Sequence, residues 1–226
     1  MNWAAIGERL DTDGCAVLPD ALTEAECNTI RDGYASDALF RSRVVMARHG
    51  YGRGEYQYIR YPLTARVAAL RTALYPPLAE IANCWNEAMR IEVRFPADHA
   101  AFLDRCFRAG QTRPTPLVLK YAAGDYNCLH QDLYGEHVFP LQVAFLLSQP
   151  GHDFTGGEFV LTEQRPRMQS RVEVVPLRRG DGVVFPVRQR PVRGSRGAYR
   201  VTLRHGVSRV RGGDRYTLGI IFHDAV

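Results

Sequence analysis

The sequence predicts a mainly β protein of the α+β class, an antiparallel sandwich or barrel with a helical annex on its N-terminal side. Three observations predict it. After Pro116 apolar residues recur at period two in short segments bounded by glycine and proline, the pattern of half-buried strands. Before Gln111 they recur mainly at helical spacing. The third is size: 226 residues with 46% hydrophobic content can bury a sizeable core without staples.

Taken in order, Trp3, Ile6 and Leu10 mark a helix that stops at Gly14, and Cys15 to Pro19 reads as a short strand. Thr23 and Glu26 form a capping box that opens a helix through Ile30 to about Tyr34. Residues 41–62 are rich in glycine, arginine and tyrosine. This composition fits a substrate-facing lid, in which Arg48, Arg53, Tyr56 and Tyr58 offer phosphate contacts and ring faces. It fits equally a surface hairpin whose tyrosines half-bury against the core.

Val67, Leu70 and Leu74 predict a helix ended by Pro76 and Pro77, and a second helix follows from Leu78 through Ile81, Trp85 and Met89. A third, from Ala97 to Ala109, is expected to bury Phe102, Leu103 and Phe107 before stopping at Gly110. Strands are predicted at Leu117–Tyr121, Leu141–Leu147, Gly157–Leu161, Val172–Pro176, Gly182–Phe185, Tyr199–His205 and Tyr216–Phe222. The loop from Gln111 to Pro116 is too short to separate independent domains. The expectation is one catalytic domain over 1–226, with the annex in 1–115, the lid segment at 41–62 and the β core in 116–226.

Net charge is +5, and Lys120 is the only lysine among 29 basic residues. From Arg165 to Arg215 there are fourteen arginines against Glu173, Asp181 and Asp214. That balance suits an anionic partner such as single-stranded or damaged nucleic acid, or else reflects solvated arginines alone. The five cysteines are scattered without a C-x-x-C pair, which predicts reduced thiols and a cytoplasmic location. Cys128 is expected to be a small buried thiol. No secretory pattern opens the chain, and no run approaches the roughly 20 apolar residues of a membrane span.

The chemistry centres on His130-Gln-Asp132 and His205. Two imidazoles and a carboxylate make a facial metal triad whose open positions suit non-haem Fe(II) and dioxygen. Strand alternation puts His205 on the apolar face with Val201 and Leu203, opposite Arg200, Thr202 and Arg204. It likewise groups Arg215 with Thr217, and Leu117 and Leu119 with Tyr121, leaving Lys120 outward. An inward guanidinium is costly unless it meets an anion. Bidentate pairing of Arg215 with the distal carboxylate of a dicarboxylate, assisted by the Thr217 hydroxyl, removes that cost. Tyr126, Asn127 and Tyr134 bracket the metal motif and are candidates for substrate contact.

The set His130-x-Asp132, His205, Arg215-x-Thr217 resembles the signature of the Fe(II)/2-oxoglutarate-dependent dioxygenases. Phe154-Thr-Gly-Gly-Glu-Phe159 resembles the glycine-glycine-glutamate turn of prolyl-hydroxylase-like members, and Gly180-Asp-Gly-Val-Val-Phe185 the strand before their distal histidine. Tyr121, nine residues before His130, resembles the tyrosine that contacts 2-oxoglutarate in AlkB-type demethylases of alkylated bases. Residues 129–136 and 163–171 resemble a bacterial oxygenase family described as acting on damaged nucleic acid. The resemblance implies a double-stranded β-helix, or jelly roll, with Fe(II) held by His130, Asp132 and His205. It implies 2-oxoglutarate as co-substrate on Arg215, Thr217 and Tyr121, and decarboxylation of that acid coupled to substrate hydroxylation. An oxidised N-methyl group would leave as formaldehyde. Two features depart from the AlkB pattern: Leu119 stands in place of an asparagine, and the single inward arginine ten residues after His205 is closer to prolyl-type hydroxylases. Three functions therefore stand side by side: oxidative demethylation of nucleic-acid bases, hydroxylation of a protein side chain or small molecule, and a non-catalytic cupin-type binding module.

Overall fold

The structure is a computed structural model that describes residues 1–195 and 197–226. Local sequence signals set its first elements. α1 (Trp3–Asp13) begins where the Asn2 side chain accepts from Ala5 N, buries Ile6 and Leu10, and ends at Gly14 in the left-handed region, φ 81°. β1 (Ala16–Leu18) follows, and the reciprocal Thr23–Glu26 capping box opens α2 (Glu24–Asp32).

Residues 41–62 extend both sheets, and Tyr51 and Tyr56 from this segment face the cavity described below. β2 (Phe40–Val45) pairs with β4 (Glu55–Ile59), β4 pairs with β5 (Leu117–Tyr121), and β3 (Gly52–Arg53) pairs with β6 (Tyr126–His130). Tyr56 and Tyr58 are half-buried, as the hairpin alternative expects.

α3 (Ala65–Ala88) runs straight through Pro76 and Pro77, where the sequence predicts a break. The prolines remove the bonds that would reach the carbonyls of Thr72 and Ala73, and both of those residues lie on the exposed side. Leu70, Leu74, Tyr75, Leu78 and Ala79 are buried on the other side, and their packing overrides the local penalty. In α4 (His99–Arg108) the buried residues are His99, Phe102 and Cys106, while Phe107 is 67% exposed, contrary to expectation. Helical rotation explains the correction, because Phe107 is five residues from Phe102 and falls on a different face.

The β core continues with β7 (Leu141–Leu146), β8 (Phe154–Gly156), β9 (Phe159–Gln164), β10 (Arg171–Val175) and β11 (Gly182–Pro186). It ends with β12 (Gln189–Gly194), β13 (Gly197–Val207), β14 (Val210–Gly213) and β15 (Arg215–Ile220). The major sheet has the order β1-β11-β7-β15-β5-β4-β2, and the minor sheet β10-β9-β13-β6-β3 with β12 beside β13. All these pairings are antiparallel, and the two sheets face each other as a jelly roll.

Position 143 shows how the layers are built. Val143 and Phe145 on β7 join the core with α3 and α4, while Leu146 packs with Tyr121 and Phe154 between the sheets. The helices thus cover the outer face of the major sheet. Lys120 shares that covered side and is half-buried, with its Nζ 5.8 Å from the Tyr216 ring centroid, so it is less outward than predicted. Two buried ion pairs lock the layers together. Arg190 bonds Glu163 (Nε to Oε2, 3.0 Å) and the Asp11 carbonyl, and Arg71 bonds Asp224 (2.7 Å) and the Ile221 carbonyl. Among the described residues no helix is long and apolar enough to cross a membrane.

Candidate metal and co-substrate site

His130 and His205 are direct cross-strand partners on β6 and β13, and their ring centroids are 4.1 Å apart. Asp132 lies two residues past His130, beyond the end of β6, and returns its carboxylate to both rings. Oδ1 is 3.6 Å from His130 Nε2 and Oδ2 is 3.4 Å from His205 Nε2. One ligand atom from each of the three residues falls within 4.8 Å of the others.

Protonation suits a metal. His130 Nδ1 donates to the Cys128 carbonyl at 2.8 Å, which leaves the Nε2 lone pair free. Burial alone would raise the Asp132 carboxyl, but the hydrogen bond and charge of His205, the charge of His130 and the Gln142 amide outweigh it and hold it well below the usual range. Burial, then His130, pushes His205 below its ordinary value against the pull of Asp132. An ionised carboxylate beside a neutral imidazole is the state in which each can act as a ligand.

Across the cavity lies a second cluster on the major sheet. Arg215 on β15 is 1% exposed and pairs in register with Tyr121 on β5. Its Nη1 donates to the Thr217 hydroxyl, and its guanidinium carbon is 5.6 Å from the Tyr121 ring centroid. Its Nε has no partner, the Tyr121 hydroxyl has none, and no ion pair involves Arg215 among the described residues. Burial, opposed by Tyr121 and Glu158, brings the guanidinium down to about 10. The side chain threads past Gly157 (φ 64°), where a Cβ would meet Arg215 Cδ at 3.0 Å and Val210 Cγ2 at 2.9 Å. Both clusters open on one cavity of about 220 Å³, which Phe159 and Phe185 close on the apolar side. Two imidazoles and a carboxylate at one end, with orphaned donors and an unmatched positive charge at the other, fit a metal ion and an anionic co-substrate.

Of the residues predicted for substrate, Tyr56, Asn127 and Tyr134 line this cavity. Tyr134 also donates to Asp132 Oδ1 at 2.8 Å. Four others lie off it. Tyr58 stands edge-on to Tyr56 with the Arg41 guanidinium 4.4 Å from its ring centroid. Tyr126, adjacent to Asn127, alternates to the other side of β6 and lies under Arg209 at 5.9 Å. Arg48 projects from an exposed turn, and Arg53 is exposed and 3.8 Å from Asp125. Cys128 is exposed, because β6 has solvent on its outer side. The sequence reading missed Tyr51, which lines the mouth and stacks on His49 (5.3 Å, 22°), and Gln142 on β7. Gln142 carried a usable signal as the single polar residue in an otherwise apolar strand.

A double-sheet jelly roll with this triad at one end of its cavity defines the oxygenase class. The chain belongs to the Oxygenase-NA family, described as an oxygenase catalysing oxidative methylation of damaged DNA, whose sequence pattern matches residues 54–225. Membership removes the non-catalytic binding module from consideration. Two uncharacterized proteins of Mycobacterium tuberculosis, from strains CDC 1551 / Oshkosh and ATCC 25618 / H37Rv, are each 48% identical over 196 residues, 84% of either chain. Among solved structures, a 2OG-Fe(II) oxygenase-family oxidoreductase from Burkholderia pseudomallei aligns with TM-score 0.59 and 15% identity over 100% of this chain and 93% of that one. A Pseudomonas putida prolyl-4-hydroxylase gives 0.54 and 14% over 99% of each chain. A Trichoplax adhaerens prolyl hydroxylase, in complex with a hypoxia inducible factor peptide fragment, gives 0.54 and 17% over 97% of this chain and 87% of that one. At these identities the likeness establishes the fold. Fold and triad together support Fe(II), 2-oxoglutarate and dioxygen as the cofactor set.

Proposed function

We propose that the chain couples oxidative decarboxylation of 2-oxoglutarate to oxidation of an alkyl group on an unpaired base of damaged DNA or RNA. The observation that carries the co-substrate assignment is the buried, ionically unmatched Arg215 across the cavity from the triad. In this reading His130, Asp132 and His205 hold Fe(II), and Arg215 grips the distal carboxylate with two parallel donors. Thr217 and Tyr121 add hydroxyls at the same end. When bound, iron supplies the dioxygen chemistry that couples decarboxylation to hydroxylation. Phe185, 4.7 Å from the His205 ring, and Phe159, 6.1 Å from it, keep that end of the cavity dry.

Family membership and the cavity mouth support the nucleic-acid substrate. A cavity of about 220 Å³ is smaller than the roughly 300–1,000 Å³ that encloses a drug-sized ligand, so the co-substrate takes most of it and only the reacting group enters. The remainder of the substrate rests on the mouth, where the Tyr51–His49 stack offers a ring face and Arg48 and Arg53 are exposed nearby in sequence. An N-methyl group hydroxylated there leaves as formaldehyde and frees the base.

The test is turnover of N-methylated single-stranded oligonucleotides with Fe(II) and 2-oxoglutarate, following succinate and formaldehyde together. Methylated oligonucleotide should raise both in equal amounts, and binding should weaken with salt. Failure of methylated DNA and RNA to stimulate succinate formation removes the substrate assignment. The prolyl-hydroxylase folds favour one second reading, hydroxylation of a protein side chain or small molecule. Its signature is a product heavier by one oxygen without formaldehyde.

A further inference from the structure

Asp132 is held by two donors, one on each oxygen. The Tyr134 hydroxyl donates to Oδ1 at 2.8 Å, and the Gln142 amide donates to Oδ2 at 2.9 Å. The same Gln142 nitrogen stands 3.4 Å from His205 Nε2, so one amide touches two of the three proposed ligands. Gln142 is 4% exposed and reaches the site from β7 in the major sheet, whereas both histidines belong to the minor sheet. The triad therefore spans the two sheets through this side chain.

We infer that Gln142 and Tyr134 are the positioning pair of the metal centre, holding the Asp132 carboxylate in a single orientation between the two imidazoles. Turning the carboxylate plane about Cβ–Cγ away from this orientation would break both hydrogen bonds at once, at a buried site where unmade bonds are expensive. The chemistry of the donors is equally specific. Both are neutral, in a chain that carries 29 basic residues. An arginine or lysine in either place would bond the carboxylate more strongly but set a positive charge against the bound cation. An amide and a phenol orient the carboxylate while leaving its negative charge to the metal. Outer partners of this kind are worth roughly 10–100-fold in metal affinity. The assignment also gives Tyr134 a role at the metal in place of substrate contact.

The inference rests on the metal site proposed above, and the test separates the two. Co(II) is titrated anaerobically into the full chain without 2-oxoglutarate, reading affinity by calorimetry and ligand geometry by visible absorption. Gln142→Leu and Tyr134→Phe should each weaken Co(II) binding about 10–100-fold and alter the absorption band. Circular dichroism and thermal melts report whether each variant is folded. If wild type binds Co(II) at the triad and both variants bind within twofold of it with an unchanged band, the positioning role is overturned and the metal site stands. If His205→Ala binds Co(II) as wild type does, the metal site falls, and the inference with it. Should Gln142→Leu not fold, Tyr134→Phe, which removes one hydroxyl, decides alone.

Discussion

Arg215 carries the clearest conflict between stability and use. A buried guanidinium without an anion is a net cost to the free protein, and Thr217 satisfies only part of its donor fork. Arg215→Met should therefore raise the melting temperature of the free protein while weakening 2-oxoglutarate, since a buried charge left unpaired costs about 2–5 kcal/mol, or thirtyfold and more. Calorimetric titration of the acid alongside thermal melts checks both signs. Gly157 tests the same corridor from the other side. Gly157→Ala sets a methyl 3.0 Å from Arg215 Cδ in a left-handed backbone, so the KM for 2-oxoglutarate should rise at least tenfold with Co(II) affinity unchanged. Steady-state kinetics and a metal titration separate the two effects. The triad, Arg215 and Thr217 were legible from residue type and alternation, because ligands and an inward charge are rare enough to stand out. Tyr51 was not, because its place at the cavity mouth depends on the pairing of β3 with β6, which no local pattern announces.

At the scale of elements, sequence reading succeeds where one face is apolar and fails where packing or chemistry intervenes. β5 was predicted to the residue, and β7 and β11 to within one. β6, which presents His130, was missed because a register shift against β13 breaks its alternation: Asn127 and His130, three apart, both line the cavity while Cys128 and Leu129 between them are exposed. α3 was divided at Pro76 because tertiary burial is invisible to a rule about local hydrogen bonds. The Arg190–Glu163 pair shows what such tertiary ties are worth. Arg190 on β12 reaches Glu163 and the carbonyl of Asp11, and Asp11 accepts from Trp85 Nε1 at 2.6 Å, so one guanidinium links α1, α3 and the minor sheet. Glu163→Ala strands that buried charge and should cost about 3–5 kcal/mol. Urea unfolding should show a lower midpoint with an unchanged slope.

Across the whole molecule His99 on α4 ties the helical layer to the segment after β15 through the Phe222 carbonyl at 2.9 Å, and it constrains the pH range together with buried His223, which accepts from Phe139 N. Burial, with a smaller push from Arg71, takes both His99 and His223 from 6.5 down to about 4. The unfolded chain then binds more protons than the folded one between those values. Stability from this source is complete above about 6.5 and is lost as the pH falls toward 4. Thermal melts from pH 7.5 to 4.5 should show a progressive fall in melting temperature, and His99→Gln should make it shallower. A sandwich or barrel with a helical cover was legible because period-two segments dominate after Pro116, but the jelly roll followed only from the family resemblance, and β2, β3 and β4, which extend both sheets, lie before that division. Arg215, whose charge is unmatched in the free chain, has a consequence at this scale as well. A ligand that binds only the folded state adds RT ln(1 + [L]/Kd), about 2.7 kcal/mol at a hundredfold excess over Kd. With 2-oxoglutarate on Arg215 as proposed, the free energy of unfolding should rise with the logarithm of the acid's concentration above Kd. The chain's turnover by proteolysis, which acts on the unfolded fraction, then slows when that acid is plentiful and quickens when it is scarce.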